Sequence, residues 1–232
     1  MMRVASYNIR KAVGLDWRRD ADRIMRVLAE IDADIVVLQE ADRRTGDRAG
    51  VLPVVQMQQD LGYQRVDFAV RPKSHGWHGN AIFYRDTLLE FDRPQRVILP
   101  SLEPRGAVSA LFATPHIEII GVHLALVRAT RLGQLRALAD HMSAATHPVL
   151  IAGDFNAWRH DTDVANIFGE NSEMIVPGNS FHAAWPAAAL DRFVLKGAVQ
   201  HVSSHVHQSA SAARASDHLP VVIDIAVRKQ VP

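Results

Sequence analysis

The stretch AVSALFATPHIEIIGVHL, residues 107–124, decides the fold class. It holds two apolar runs, Ala107 to Ala113 and Ile117 to Val122, with no helical segment between them. Three further runs with strand signals precede it, around Val66 to Val70, Ala81 to Tyr84 and Arg96 to Leu99, so residues 63 to 124 read as mostly strand. On either side the pattern changes. Residues 3 to 9 read as a strand, and Ile24, Val27, Leu28 and Ile31 then fall on one face of a helix ahead of the buried run Ile35 to Leu38. Leu132, Leu135, Leu138, Ala139 and Met142 mark a second amphipathic helix, which runs into His147-Pro148 and the strand Val149 to Ala152. A strand-rich middle between alternating ends favours two packed sheets with outer helices over a single parallel sheet.

At 232 residues with 48% hydrophobic content, the chain can bury one sizeable core, and a single domain over residues 1–232 is the expectation. The 26 Lys and Arg against 25 Asp and Glu give a net charge of +1, so no global field draws in a polyanion and any basic groove must be local. Without cysteine there is no disulfide framework and no thiolate metal site; a metal would have to use oxygen or imidazole. The start, MMRVASYNIR, lacks a charged leader followed by an apolar stretch, and no segment approaches the roughly 18 apolar residues that span a bilayer. A soluble, cytoplasmic protein is expected. SASAARA, residues 209–215, reads as a mobile loop before the last strand.

Polar residues recur at the ends of the apolar runs: Asn8, Glu40, His123, Asp154 with Asn156, Asp191, and Asp217 with His218. A hard divalent cation needs one or two carboxylates beside a substrate phosphate and keeps several waters. Glu40, closing the run DIVVLQE, is the leading direct ligand, because an unpaired carboxylate there would be costly. Asn8 can add an amide oxygen. In GDFNA, Gly153 permits a tight backbone path while Asp154 orients or deprotonates water and Asn156 holds that water or a phosphate oxygen. In SDHLPV the consecutive Asp217 and His218 start in different directions, so Asp217 can meet the metal or its water and His218 the phosphate. Asp191 would fix the imidazole tautomer and favour its cationic form.

With SYNIR, LQE, GNAIFYR, GVHL, GDFNA, LDRFVL and SDHLPV in this order, the chain resembles the endonuclease/exonuclease/phosphatase superfamily, the deoxyribonuclease I-like hydrolases, over residues 3 to 227. The resemblance implies an α/β four-layer sandwich: two central sheets, mostly antiparallel or mixed, flanked by helices, with a divalent-metal site at their edge. By motif, Asn8, Glu40 and Asp217 match the metal-site positions, Asp154 and Asn156 the water-handling pair, and Asp191 the partner of His218. His123 matches the second histidine of the deoxyribonuclease branch, a general acid. The chain departs from the pattern in two places. After Asn8 it has Ile9-Arg10 where the abasic-site endonuclease branch has a carboxylate, and near His78 it lacks the Glu that the deoxyribonuclease branch pairs with its histidine.

The expected reaction is in-line attack of water on phosphorus with Mg2+, or Mn2+, neutralising a phosphate oxygen. Arg10, Arg105 and Arg131 are the candidates to grip a second phosphate, and Trp77, Trp185 and Phe181 a rim for base stacking. A phosphodiesterase or nuclease acting on DNA or RNA leads. The alternatives are a phosphomonoesterase, a phospholipid-headgroup phosphodiesterase, or a catalytically silent binding module on the same fold.

Overall fold

The computed structural model describes residues 1–68, 70–101, 106–158 and 166–228. The chain runs β1 (Met2–Asn8), α1 (Ala21–Ile31), β2 (Ile35–Gln39), α2 (Val54–Leu61), β3 (Tyr63–Arg65), β4 (Ala81–Arg85), β5 (Glu90–Ile98), β6 (Gly106–Thr114), β7 (Ile117–His123), α3 (Arg128–Ala144), β8 (Val149–Asp154), β9 (Ser172–Ile175), β10 (Asp191–Lys196), β11 (Val199–Val206), α4 (Ala212–Ala215) and β12 (Val221–Val227). Two six-stranded sheets result, in the orders β11-β12-β1-β2-β4-β3 and β5-β6-β7-β8-β10-β9. Each is mixed: β1 pairs parallel with β2 and antiparallel with β12, and β8 pairs parallel with β7 and antiparallel with β10. This is the deoxyribonuclease I-like α/β sandwich expected from the sequence.

Strand alternation explains the layers. In β2, Ile35 and Val37 face the second sheet, while Val36 and Leu38 face the helices. In β8, Leu150 and Ala152 face the first sheet, and Val149 and Ile151 pack under Leu135, Leu138 and Met142 of α3. Strands covered on both faces read as largely apolar runs, with the site's polar residues at their ends. Helix α1 buries the four residues of its apolar stripe and starts at Asp20, whose side chain accepts from the Arg23 amide. Between the sheets, a Cβ on Gly121 would lie 2.7 Å from Val37 Cγ1, so only glycine allows this approach beneath the site.

Three expectations change. Val66 to Phe68 does not continue the strand: β3 stops at Arg65, and among the described residues a bond from the Val66 amide to Ile82 O (2.9 Å) extends the pairing by one step. Val66 and Phe68 still enter the core between the sheets, which accounts for their apolar character. The second half of SASAARA, Ala212–Ala215, forms α4, because the Ser209 side chain accepts from the Ala212 amide (3.0 Å) and the buried Ala212 and Ala215 sit in the same core as α1. Trp77 does not stand at a rim; it packs against the core between the sheets and fills the space over Gly106, where a Cβ would clash at 2.0 Å. Among the described residues no helix is long and apolar enough to cross a membrane.

Candidate active site

Register places the site. His123, Asp154 and Asp191 are paired across β7, β8 and β10, so three polar side chains lie in one row at the edge of the second sheet. In the first sheet Asn8 pairs with Gln39, which brings Glu40 to the same edge, and β12 begins just beyond it, after Asp217 and His218. A Cβ on Gly153 would meet Val122 O at 2.0 Å, so glycine is required where β8 closes on β7 one residue before Asp154.

The Asp154 carboxylate, 2% exposed, lies where the sheets meet. Its Oδ2 accepts from Asn8 Nδ2 (3.1 Å) and lies 3.5 Å from His123 Nε2 and 3.7 Å from His218 Nε2. Its Oδ1 accepts from the Asn156 amide (2.9 Å), whose residue takes a left-handed backbone (φ 51°) and donates Nδ2 to Leu124 O (2.9 Å). His218 donates Nδ1 to Asp191 Oδ2 (2.8 Å), which also accepts from Ser180 Oγ (2.5 Å), and the Phe181 ring packs 4.9 Å from the imidazole. The bond from Nδ1 leaves Nε2 facing Asp154.

Burial raises the Asp154 carboxyl above the usual carboxylate range; Asp191 adds to this, while His123 and His218 oppose it. For His218 burial pushes the pKa down, but the charge and hydrogen bond of Asp191, with Asp154 and Asp217 beyond, outweigh it and carry the group up to about 9. His218 is therefore an imidazolium at neutral pH, beside a carboxylate that its surroundings make unusually basic.

The hard oxygen donors gather around the turn after β1. Glu40 pairs with Lys11, Asp217 Oδ2 lies 3.4 Å from Arg10 Nε, and Asn8 Oδ1 accepts from the Arg10 amide (3.1 Å). Each carboxylate is thus paired with a cation of the turn. No group of three His, Asp or Glu among the described residues forms a cage. Two carboxylates with an amide oxygen nevertheless suit Mg2+, which keeps much of its water. Both acids also remain partly open to solvent.

Of the arginines expected to grip phosphate, Arg10 reaches the site, with its guanidinium 4.4 Å over the Trp17 ring. Arg131 has another use: it is buried, and its Nη1 donates to Ala125 O (3.0 Å) and Leu126 O (2.8 Å), fixing the loop after His123. Arg105 lies outside the described residues. Sequence reasoning missed Ser180 and Lys11, which carry no motif, and it missed a cleft of about 400 Å³ beside Glu40 and His123 whose wall includes Arg43, Arg44 and Arg48.

The Endonuclease/Exonuclease/phosphatase family matches residues 5–218. The "Uncharacterized protein YbhP" of Escherichia coli K12 is 30% identical over 190 residues, 73% of this chain and 69% of the relative. Among solved structures, Danio rerio TDP2 complexed with a single-strand DNA product superposes with a TM-score of 0.73 at 18% identity, covering 97% of this chain and 98% of that one. The mannosyl-6-phosphatase Bt3783 of Bacteroides thetaiotaomicron gives 0.71 at 17% identity, covering 97% and 100%. At these identities the structural likenesses speak for the fold alone.

Proposed function

The chain belongs to the Endonuclease/Exonuclease/phosphatase family, whose members are phosphoester hydrolases, and on that premise we propose a divalent-metal-dependent phosphodiesterase that cleaves a nucleic-acid strand by in-line attack of water. The observation that carries this reading is Asp154, a buried carboxylate of raised basicity set between two imidazoles and the Asn8 amide. Asp154 orients the attacking water and takes its proton. Asn156, held by Leu124 O and with its own amide on Asp154, fixes the carboxylate and the approach of the phosphoryl group. The His218 imidazolium, kept cationic by Asp191, stabilises charge on the phosphoryl oxygens. His123, whose Nε2 lies 3.5 Å from Asp154 Oδ2, delivers a proton to the departing alkoxide. Asn8, Glu40 and Asp217 would hold Mg2+ or Mn2+, which when bound neutralises a phosphate oxygen and the leaving oxygen.

Support for a strand substrate comes from the rim. Trp158 is half exposed and packs 5.3 Å from Phe181, which lies on His218, while Trp185 is 82% exposed nearby in sequence. Exposed aromatic faces beside a phosphoester site suit stacked bases. The test compares a single-stranded oligonucleotide, bis-p-nitrophenyl phosphate, p-nitrophenyl phosphate and sphingomyelin, with Mg2+ and with chelator. Diester and oligonucleotide cleavage that stops on chelation is the expected result; cleavage of the monoester alone, or of none, overturns it. Glu40→Gln keeps an oxygen donor but loses charge, so the Mg2+ concentration for half-maximal activity should rise; an unchanged metal titration removes Glu40 from the ligand set.

A further inference from the structure

The loop that follows Glu40 is held in place by its own anchors. Asp42 accepts from Ser74 Oγ (2.5 Å) and from the His75 amide (2.7 Å), the Arg43 amide bonds Ala49 O (3.0 Å), and the Leu52 amide donates to His75 Nε2 (2.9 Å). Asp47, the loop's other acid, pairs with Lys73 (2.9 Å), and Arg71 donates to Gly46 O (3.0 Å). These bonds engage both acids of the loop, Asp42 and Asp47. They leave Arg43, Arg44 and Arg48 on the cleft that opens beside Glu40 and His123. Among the described residues none of the three has a carboxylate within ion-pair distance, whereas Arg3, Arg10, Lys11, Arg23 and Arg85 all do.

Two acids line the cleft: Glu40 is matched by Lys11, and Asp42 is bound by the neutral Ser74 hydroxyl and His75 amide, so three arginines against that one carboxylate leave the wall with an excess of positive charge. Arg48 Nη1 lies 3.4 Å from His78 Nδ1, where the imidazole acts as acceptor; burial and the Arg48 charge together keep His78 below its usual pKa. Arg48 is also in a left-handed backbone conformation (φ 51°), one that a residue with a Cβ rarely takes, so the loop points this guanidinium at some local cost. Three arginines that form no ion pair among the described residues, lining a cleft of about 400 Å³, are chemically matched to phosphate oxygens.

We propose that Arg43, Arg44 and Arg48 form a subsite for a second phosphate of the substrate, flanking the one attacked at Asp154. This rests on the phosphodiesterase reading above. A flanking phosphate is present both in a nucleic-acid strand and in a small bisphosphate, and the two sources are separable. Binding is measured calorimetrically with Asp154→Asn protein in Mg2+, so that cleavage does not intervene. One arm compares the thymidine trinucleotide TpTpT with TpT; the other compares adenosine 3′,5′-bisphosphate with both adenosine monophosphates.

In at least one arm the ligand with the extra phosphate should bind about tenfold tighter or better, and Arg43→Gln/Arg44→Gln/Arg48→Gln should bring the two affinities together. A gain confined to TpTpT assigns a strand, and one confined to the bisphosphate assigns a small metabolite. Arg44→Gln alone, at an exposed position, repeats the test with a smaller loss should the triple variant be unstable. No gain in either arm, or a gain that survives these substitutions, overturns the subsite. If diester hydrolysis fails while the binding gain and its loss persist, the subsite stands and only the catalytic reading falls.

Discussion

At one end of the paired strands β7 and β8, Glu118 lies between His141 and His147; at the other, Asp154 lies between His123 and His218. Both carboxylates are buried. Glu118 is fully partnered: Oε1 accepts from His141 Nε2 (2.8 Å) and from Ser109 Oγ, and Oε2 accepts from His147 Nε2 (2.9 Å). Burial pushes its pKa up, but the bonds from His141, Ser109 and His147 overcome that and bring it down to about 2. Among the described residues Asp154 accepts hydrogen bonds from Asn8 Nδ2 and the Asn156 amide and keeps its imidazoles at 3.5 and 3.7 Å; burial, with the like charge of Asp191, moves its pKa the opposite way. The same chemical groups thus yield a closed structural tie at one end and a carboxylate of raised pKa at the other. What separates them is how completely hydrogen bonds offset desolvation.

Asp154→Asn breaks the contrast most sharply. Turnover on bis-p-nitrophenyl phosphate should fall by about 10²–10⁴, the range for a lost general base, while the thermal midpoint holds or rises because burial already disfavours the charged form. Full turnover in the folded variant would remove Asp154 as the base.

Asp191→Asn acts one step away. Turnover should fall at least about tenfold, which corresponds to 1.4 kcal/mol of transition-state stabilisation. The His218 pKa, followed by NMR, should drop from about 9. The sign follows: a histidine raised on folding contributes stability that is fully present below its ordinary 6.5 and is lost as pH rises through about 9. In the variant, both that loss and the alkaline decline of activity should move to lower pH. Losses strictly additive with His218→Ala in a double-mutant cycle would show that the two residues do not act as a pair.

Glu118→Gln sharpens the comparison from the structural end. Turnover should be unchanged and stability reduced by about 1–3 kcal/mol, the cost of breaking a buried hydrogen-bonded network. A variant that loses turnover without losing stability would contradict the division of roles. The smallest effect is its pH dependence. The Glu118 contribution is fully present above 4.5 and is lost as pH falls through about 2; that of His141, raised first by its bond to Glu118, is fully present below 6.5 and is lost above its raised folded value. The stability difference between wild type and variant should therefore be greatest between pH 4.5 and 6.5. A difference that grows steadily toward alkaline pH would contradict it.

Sequence alone determined the layered fold and the residues at the strand ends. Runs covered on both faces must be apolar, so a polar residue stands out where such a run stops, and Asn8, Glu40, His123, Asp154 and Asp191 all do so. The stripe of α1 was equally legible, because its 3.6-residue period is local. Tertiary structure decided what no local pattern encodes. It put Arg131 on loop carbonyls, because one face of α3 packs onto the second sheet and draws that side chain inward. It joined Ser180 to Asp191, and Glu118 to His141 and His147, across 11 to 29 residues of chain. It also turned Arg43, Arg44 and Arg48, which look like ordinary solvated loop residues in sequence, toward the cleft beside Glu40. A loop has no hydrophobic period to reveal its orientation; only the anchors at Asp42, Ser74 and His75 fix it.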